Sequence, residues 1–176
     1  MKAMRLLLPV VAGVAVLSAA GCGNTDTLRP GPQSPEAQGS LGGSLGQLTG
    51  LLQCAPLPAD SVSVPVGPDG GTISVGPHAL VIPAGALADR VTITAVAPSD
   101  TVNRVRFEPT GLVFRRTASL TMSYANCNLP GLPIPRRIAY IDHALDILYY
   151  LLSADHPLSQ AVTGRLDHFS EYAVAW

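Results

Sequence analysis

The sequence predicts an all-β fold, a β-sandwich of about 9–11 short strands preceded by a signal peptide and a flexible linker. Apolar and polar residues alternate over short runs, as they do in half-buried strands. Turn-forming residues, with 17 Gly and 16 Pro in 176 residues, interrupt the chain too often for long helices. The runs also lack the alternation of strands and helices that marks a parallel sheet, so an antiparallel sandwich is expected.

Composition limits the classes of function. The chain has a formal net charge of −1 and only 5% aromatic residues. Binding to nucleic acid needs clustered basic residues, and single strands are also held by stacking on aromatic rings. The sequence therefore predicts no nucleic-acid partner.

Residues 1–21 have the pattern of a secretory signal peptide. Lys2 and Arg5 precede an apolar run, Leu6–Ala20, that ends in small residues and is too short to favour a spanning helix. The end of this run with the following cysteine, Leu17–Cys22, resembles the lipobox of bacterial lipoproteins. In that family the cysteine becomes the acylated first residue of the mature chain.

The lipobox resemblance implies that Cys22 carries a lipid anchor in a membrane of the cell envelope. Gly23 after the cysteine, rather than Asp, favours the outer over the inner membrane. Ala19 stands where the motif usually has Leu, and plain secretion is the alternative. The mature chain has no polybasic cluster to bind anionic lipid, so the acyl chains would have to anchor it.

Residues 22–53 are predicted to form a flexible tether between the lipid and the folded domain. Gly, Ser, Pro, Thr and Gln dominate this stretch, as in flexible linkers. The run Leu45–Leu52 is interpreted as the disordered end of the tether, with a marginal helical turn as the alternative. The sandwich domain is predicted to span residues 54–176.

Two cysteines remain in the domain, Cys54 and Cys127. Neither has a CxxC partner or a nearby histidine that would indicate a metal or redox site. An exported chain meets an oxidising compartment, which favours a structural disulfide between them. Two buried free thiols are the alternative.

The domain sequence divides into short β-prone runs. Predicted strands lie at Val62–Val66, Thr72–Val75, His78–Ile82, Val91–Ala97, Val102–Phe107, Leu112–Phe114, Ser119–Tyr124, Arg137–Ile141, Ile147–Leu152, Val162–Leu166 and Glu171–Trp176. The stretch Gly70–Leu87 predicts a β-hairpin with Pro77 and Pro83 at strand ends, because proline cannot donate a ladder hydrogen bond. The apolar run Asp146–Leu152 fits a strand or a helix, and its two tyrosines favour a strand.

Four motifs follow one another along the domain: Gly70-Gly71-Thr72, Ile82-Pro83-Ala84-Gly85-Ala86-Leu87, Phe107-Glu108-Pro109-Thr110-Gly111-Leu112-Val113-Phe114 and His168-Phe169-Ser170-Glu171-Tyr172-Ala173-Val174. Together they resemble the ZU5 domain of ankyrins and netrin receptors, over roughly residues 61–176. The resemblance implies a β-sandwich that contacts other proteins and needs no cofactor. It does not imply the partner of any particular family member.

The motifs also have structural interpretations. Gly85 and Gly111 suit tight turns, prolines end strands, and the two phenylalanines of the third motif fill the core. The residues that define the first three motifs are Gly70, Gly71, Ile82, Pro83, Gly85, Leu87, Phe107, Pro109, Gly111 and Phe114.

The triplet His168-Phe169-Ser170 carries the sharpest chemical signal. In some relatives of the ZU5 family such a triplet is a self-cleavage site. The resemblance then implies that Ser170 attacks the Phe169 carbonyl while His168 takes its proton. The favoured interpretation is structural, with Phe169 packed inside, Ser170 opening the last strand and His168 at its edge, and self-cleavage is the alternative.

Other catalytic or metal sites are not predicted. The chain has no nucleophile elbow, P-loop, dinucleotide fingerprint or HExxH motif. Three Asp-His pairs, at 142–143, 155–156 and 167–168, and the unpaired His78 are interpreted as turn or edge residues. Six arginines are candidates for a contact surface, although charges that protect sheet edges are the favoured interpretation: Arg104, Arg106, Arg115, Arg116, Arg136 and Arg137.

The function predicted from sequence is therefore a lipid-anchored, exported protein that presents one ZU5-like interaction or structural module. Its expected partners are the membrane, through the lipid, and a protein of unknown identity. An enzyme is not expected, and self-cleavage between Phe169 and Ser170 is the alternative.

Overall fold

The computed structural model describes residues 50–129, 131 and 134–176. The predicted signal peptide, Cys22 and the tether as far as residue 49 lie outside the described residues. Within them the chain forms eleven strands and no helix, and so offers no helix able to cross a bilayer.

The strands are β1 (Asp60–Val66), β2 (Gly71–Val75), β3 (His78–Ile82), β4 (Val91–Ala97), β5 (Arg104–Glu108), β6 (Val113–Ser123), β7 (Arg137–Ile141), β8 (Ile147–Tyr150), β9 (Ser153–His156), β10 (Ala161–His168) and β11 (Glu171–Ala175). They form a six-stranded sheet in the order β1-β4-β5-β11-β7-β8 and a five-stranded sheet in the order β2-β3-β6-β10-β9. All pairings within the sheets are antiparallel. The two sheets pack together, which confirms the predicted all-β sandwich.

Three phenylalanines lie at the centre of the core between the sheets. Phe107 of β5 stacks on Phe169 with ring centroids 5.2 Å apart. Phe114 of β6 meets the same ring edge to face at 4.9 Å. All three side chains are buried. Phe169 thus joins a strand of each sheet, and such aromatic pairs contribute about 0.5–1.5 kcal/mol beyond the burial of their surface.

The predicted hairpin is present as β2 and β3, with Pro77 in its turn and Pro83 directly after β3. The loop before the hairpin packs against the loop that follows it. The Gly85 N–H donates to the Pro68 carbonyl at 2.7 Å, and Gly70 lies against the backbone after Ile82. The first two sequence motifs are therefore in direct contact.

Two of the strand predictions differ from the structure. The runs predicted separately at 112–114 and 119–124 are joined in one continuous strand, β6. It pairs with β10 at Val113 and again from Ala118 to Ser123, with a register shift between them. β9 was not predicted, because its sequence, Ser-Ala-Asp-His, lacks the apolar residues of a strand with a buried face. It lies at the edge of the five-stranded sheet, where little burial is required.

The amino-terminal limit of the folded domain also differs from the prediction. Leu51 and Leu52, assigned to the tether, are buried. The Leu52 N–H donates to the Val174 carbonyl at 3.0 Å, and Trp176 donates to Gly50 at 3.1 Å. Leu51 packs with a small apolar cluster that includes Val102, whereas Leu52 belongs to the main core. The apolar pair therefore adds to the six-stranded sheet beside the end of β11.

Cys54 and Cys127 form the predicted disulfide, with an S–S distance of 2.08 Å. Backbone hydrogen bonds support it on both sides, from Ala55 to Asn126 and from Asn128 to Gln53, at 2.8 and 2.7 Å. A link between positions 73 residues apart restricts the unfolded chain, a stabilisation of about 4 kcal/mol in the loop-entropy description.

Gly70 and Gly111 form a matched pair for testing the first motif, since their φ angles are both positive, at 76° and 82°. A Cβ on Gly70 would lie 2.8 Å from the Pro83 carbonyl carbon and closer still to the Ile82 oxygen, whereas one on Gly111 would meet nothing within 4 Å. Gly111→Ala should lower the free energy of unfolding by about 1 kcal/mol through backbone strain. Gly70→Ala should lower it by about 1–3 kcal/mol more, through the added collision.

Chemical denaturation of both variants measures this difference. If both variants lost the same free energy of unfolding, the close backbone approach at Gly70 would not contribute to the cost of an added Cβ.

Candidate functional site

The triplet His168-Phe169-Ser170 forms the corner where the chain crosses from the five-stranded to the six-stranded sheet. β10 ends at His168 and β11 begins at Glu171. Phe169 donates to the Leu112 carbonyl at 2.8 Å, and its own carbonyl accepts from Gly111 at 2.9 Å. The third motif therefore holds the carboxyl-terminal motif in place through backbone hydrogen bonds.

His168 faces a cluster of tyrosines on one side of this corner. Its Nε2 lies 2.8 Å from the Tyr149 hydroxyl, and its ring packs edge to face on Tyr140. The Tyr172 hydroxyl donates to the His168 carbonyl at 2.7 Å. Burial is the main cause that raises the pKa of Tyr172 and of Tyr149, so both phenols stay protonated and able to donate.

No hydrogen bond joins His168 to the Ser170 hydroxyl within the described part of the chain. His168 Nδ1 instead lies 3.4 Å from the Phe169 carbonyl oxygen. The predicted pairing of His168 as base with Ser170 as nucleophile is therefore not formed in this structure.

A cleft of about 200 Å³ lies beside Ser170 and Glu171, and His143 and Arg106 are among the residues that line it. Glu171 is only 5% exposed. One of its oxygens pairs with Arg104, and the other lies 3.3 Å from His143 Nδ1. A hydroxyl, an imidazole and a buried carboxylate thus share one small cleft next to the Phe169–Ser170 peptide bond.

The proximity of His143 to Glu171 has no signal in the sequence, where the residue next to each of His143, His156 and His168 is an aspartate. Asp142 instead accepts hydrogen bonds from the backbone of Ala144 and Asp146, both at 2.9 Å, and so caps its own turn. Asp167 accepts from the Thr117 hydroxyl at 2.7 Å. The third aspartate, Asp155, also binds elsewhere, to the Tyr124 hydroxyl at 2.7 Å.

The tyrosine cluster continues into an exposed apolar surface at β8, the edge strand of the six-stranded sheet. We name it the β8 edge surface. Its large side chains are exposed by 41–72%. They are Leu148, Tyr149, Tyr150 and Leu152. A cleft of about 260 Å³ beside them is lined by Tyr149, Leu152, Arg165 and Asp167, among others.

The arginines that were candidates for a contact surface lie in different environments. Arg104 and Arg106 share one face of β5, as predicted from its two-residue period. Arg104 forms an ion pair with Asp100 at 2.8 Å as well as with Glu171. Arg136, predicted as a solvated edge charge, is buried at 6% exposure, because its side chain turns back to the Ile134 carbonyl.

His78 was interpreted as an edge residue but is buried at 3% exposure. Its Nδ1 accepts the Ser123 N–H at 3.3 Å. Burial lowers the pKa of His78 to about 4. The side chain is therefore a neutral core histidine.

The described residues contain no group of three or more potential ligands that could hold a metal ion. In comparisons with known proteins, no family model matches the chain, and no curated protein matches it significantly.

His78 should make stability depend on pH. Its pKa is about 4 in the folded protein, against an ordinary value of 6.5. The unfolded chain therefore binds this proton more readily, and the stability that neutral His78 contributes is lost as the pH falls from about 6.5 towards 4. At the lower pH, a pKa shift of this size reduces the free energy of unfolding by about 3 kcal/mol.

Urea denaturation of the wild type and of His78→Gln at pH 7 and pH 4 measures this contribution. The variant should lose about 3 kcal/mol less than the wild type over that interval. Parallel losses in the two proteins would mean that His78 does not titrate in this way.

Proposed function

We propose that the protein is an exported lipoprotein, anchored through Cys22, that presents a ZU5-like sandwich as a protein-interaction module. The signal-like residues 1–21 and the lipobox-like end at Cys22 support the anchor. Contacts between the motifs support the family resemblance: Gly70 lies against the second motif, and Gly111 donates to Phe169. The outer membrane is the proposed location, on the basis of Gly23.

The observation that carries the interaction role is the β8 edge surface. Exposed apolar residues occur singly on most soluble proteins, whereas contiguous groups of them mark interaction sites. Here four large apolar side chains are exposed within residues 148–152. Because successive residues of a strand face opposite sides of the sheet, Leu148 and Tyr150 lie on one face and Tyr149 on the other, so they border the unpaired edge from both sides. Arg137 lies over the ring of Tyr150 at 5.5 Å, which adds a charged border to the apolar surface.

β8 differs from the other three edge strands of the two sheets, β1, β2 and β9, in the side chains that it exposes. Edge strands commonly avoid pairing with other chains through polar side chains, proline or short length. β1 presents Asp60, exposed serines and Pro65, and β9 is Ser-Ala-Asp-His. β2 begins with Gly71 and exposes polar residues. β8 alone of the four combines an unpaired edge with exposed leucine and tyrosine side chains.

The partner is accordingly proposed to be a protein that contributes an extended segment beside β8. Alternate residues of an edge strand direct their N–H and C=O groups away from the sheet, and an added strand would bond to them. Apolar side chains of the segment would cover Leu148, Tyr149 and Leu152. These side-chain contacts would select which partner sequences bind.

The β8 edge surface can be tested by site-specific photo-cross-linking at Leu152 in the full-length protein in cells. A defined adduct is expected at this position. Leu148→Glu places a charge in the interface and should reduce the adduct about tenfold, a loss typical of a central interface residue. The matched control, Leu158→Glu, changes a fully exposed leucine of the turn between β9 and β10 and should leave the adduct unchanged.

Both leucines are exposed, so neither change should shift stability by more than about 0.5 kcal/mol. An adduct that survives Leu148→Glu would contradict the proposed surface.

The lipid anchor is tested by metabolic labelling with palmitate. Cys22→Ala should abolish the label, and label that persists in this variant would contradict the anchor.

Self-cleavage between Phe169 and Ser170 is a second candidate function, favoured by the cleft that Ser170 shares with His143 and Glu171. Ser170 Oγ would attack the Phe169 carbonyl carbon as the peptide C–N bond breaks, and the Ser170 nitrogen would take up a proton to give an ester. Water would then hydrolyse the ester to a Phe169 carboxylate and the free hydroxyl.

The surrounding groups suit these steps. Glu171 lies 3.3 Å from His143 Nδ1, and the imidazole would accept the Ser170 hydroxyl proton once the two side chains meet in the cleft. The Gly111 N–H already donates to the Phe169 oxygen and would stabilise negative charge that develops there.

Cleavage would separate Ser170–Trp176, and denatured protein should then lack the mass of these residues after prolonged incubation. Ser170→Ala should keep the full mass. His143→Gln should slow cleavage at least about 100-fold, the usual loss when a general base is removed, whereas His168→Gln should slow it less. A single uncut mass for the wild type would exclude this function without affecting the proposal for the β8 edge surface.

A further inference from the structure

The backbone of β8 is placed to pair with an identical strand from a second copy of the chain. β8 is an outer strand of the six-stranded sheet. The Leu151 N–H donates to the Ile138 carbonyl at 2.8 Å. Because backbone groups alternate in direction along a strand, those of the preceding residue, Tyr150, are directed away from β7. An antiparallel partner strand would bond to them and join two six-stranded sheets into one.

Symmetry restricts the register in which two β8 strands can pair. Identical antiparallel strands are related by a two-fold axis normal to the sheet. Residues that lie opposite one another share a face of the sheet, so one residue must lie opposite its own copy. With Tyr149 at the axis, Leu148 of each copy lies opposite Tyr150 of the other, and this contact forms twice. The two Tyr149 rings then meet on the other face as an aromatic cross-strand pair.

The two ends of β8 carry opposite charges. Asp146 directly precedes the strand, and the Arg137 guanidinium lies 5.5 Å from the centroid of the Tyr150 ring at its other end. Both charged side chains are exposed, and neither takes part in an ion pair within the described part of the chain. In an antiparallel pair the start of one strand lies beside the end of the other. Asp146 of each copy would therefore approach Arg137 of the other, so the edge is complementary to itself.

The chain also enters the domain beside this strand. A Cβ on Gly50 would lie 3.1 Å from the Tyr150 hydroxyl and 3.3 Å from Ile147 Cδ1, so Gly50 packs directly against β8. In the symmetric pair, both chains would therefore leave the domain close to the interface, and residues 23–49 would lead from there to two anchors at Cys22. Anchoring in one membrane raises the effective concentration of the two copies, which favours pairing through a small interface.

We propose that the β8 edge surface binds a second copy of this chain, and that the protein forms a two-fold symmetric dimer through antiparallel pairing of the β8 strands about Tyr149. This inference rests on the interaction role proposed above for the β8 edge surface and names its partner. The dimer covers the exposed side chains of Leu148, Tyr149 and Tyr150 in both copies.

A cysteine at the symmetry axis tests the register. Tyr149 pairs with Tyr140 of β7 on its other side, and across the axis it forms a non-hydrogen-bonded pair, in which opposite Cα atoms are about 4.5 Å apart. A disulfide can form at that distance. Mild oxidation of cells that carry full-length Tyr149→Cys should therefore yield a species of twice the chain mass. The matched control, Leu158→Cys, places the thiol on an exposed leucine between β9 and β10 and should keep the single mass.

The charge pairing is tested by co-purification of two differently tagged, co-expressed full-length copies in detergent, without an added cysteine. Arg137→Asp in both copies should lower co-purification at least about tenfold, because like charges then face each other at both ends of the interface. Arg137→Asp combined with Asp146→Arg exchanges the charges and should restore co-purification. Arg90→Asp, at an exposed arginine between β3 and β4, should leave it unchanged.

The dimer is excluded if wild-type copies do not co-purify, or if exchange of the two charges fails to restore a loss caused by Arg137→Asp. Co-purification of the wild type decides the question if Tyr149→Cys does not fold. The photo-cross-link at Leu152 separates failure of the dimer from failure of the surface. An adduct with a different protein, or a cross-link within one chain, would keep the β8 edge surface as a binding site but exclude a second copy as its occupant. The absence of any adduct would contradict both proposals.

Discussion

The packing of Phe169 between the two sheets is the contact on which the rest of the domain depends. Its ring meets Phe107 of the six-stranded sheet and Phe114 of the five-stranded sheet. Its backbone is bonded at both N–H and C=O to the turn at Gly111 and Leu112. Both the side chain and the main chain of Phe169 are therefore held, and this positions the residues on either side of the crossing between the sheets.

Those neighbouring residues divide into two environments of different chemistry. On one side, His168 lies among tyrosines that continue to the exposed edge at β8. On the other, Ser170 and Glu171 line a small polar cleft with His143. One buried aromatic ring thus positions an apolar surface suited to binding and a group of polar side chains suited to proton transfer.

Local pattern was enough to predict much of the sandwich. The alternation of Ile73, Val75, Leu80 and Ile82 defined the hairpin, since the period of a strand is visible within a few residues. The proximity of His143 to Glu171 was not predictable in the same way, because it depends on β11 lying beside β7. The burial of Leu51 likewise depends on which distant segment covers it, and a linker-like composition gives no local sign of it.

The position of β11 also makes it the link between the two halves of the six-stranded sheet. This strand is the last of the eleven to be synthesised, yet it lies between β5 and β7 in the interior of the six-stranded sheet. Until it is made, the strands β1, β4 and β5 have no hydrogen-bonded connection to β7 and β8. Continuity of the six-stranded sheet therefore depends on the final strand of the domain, which joins β5 to β7.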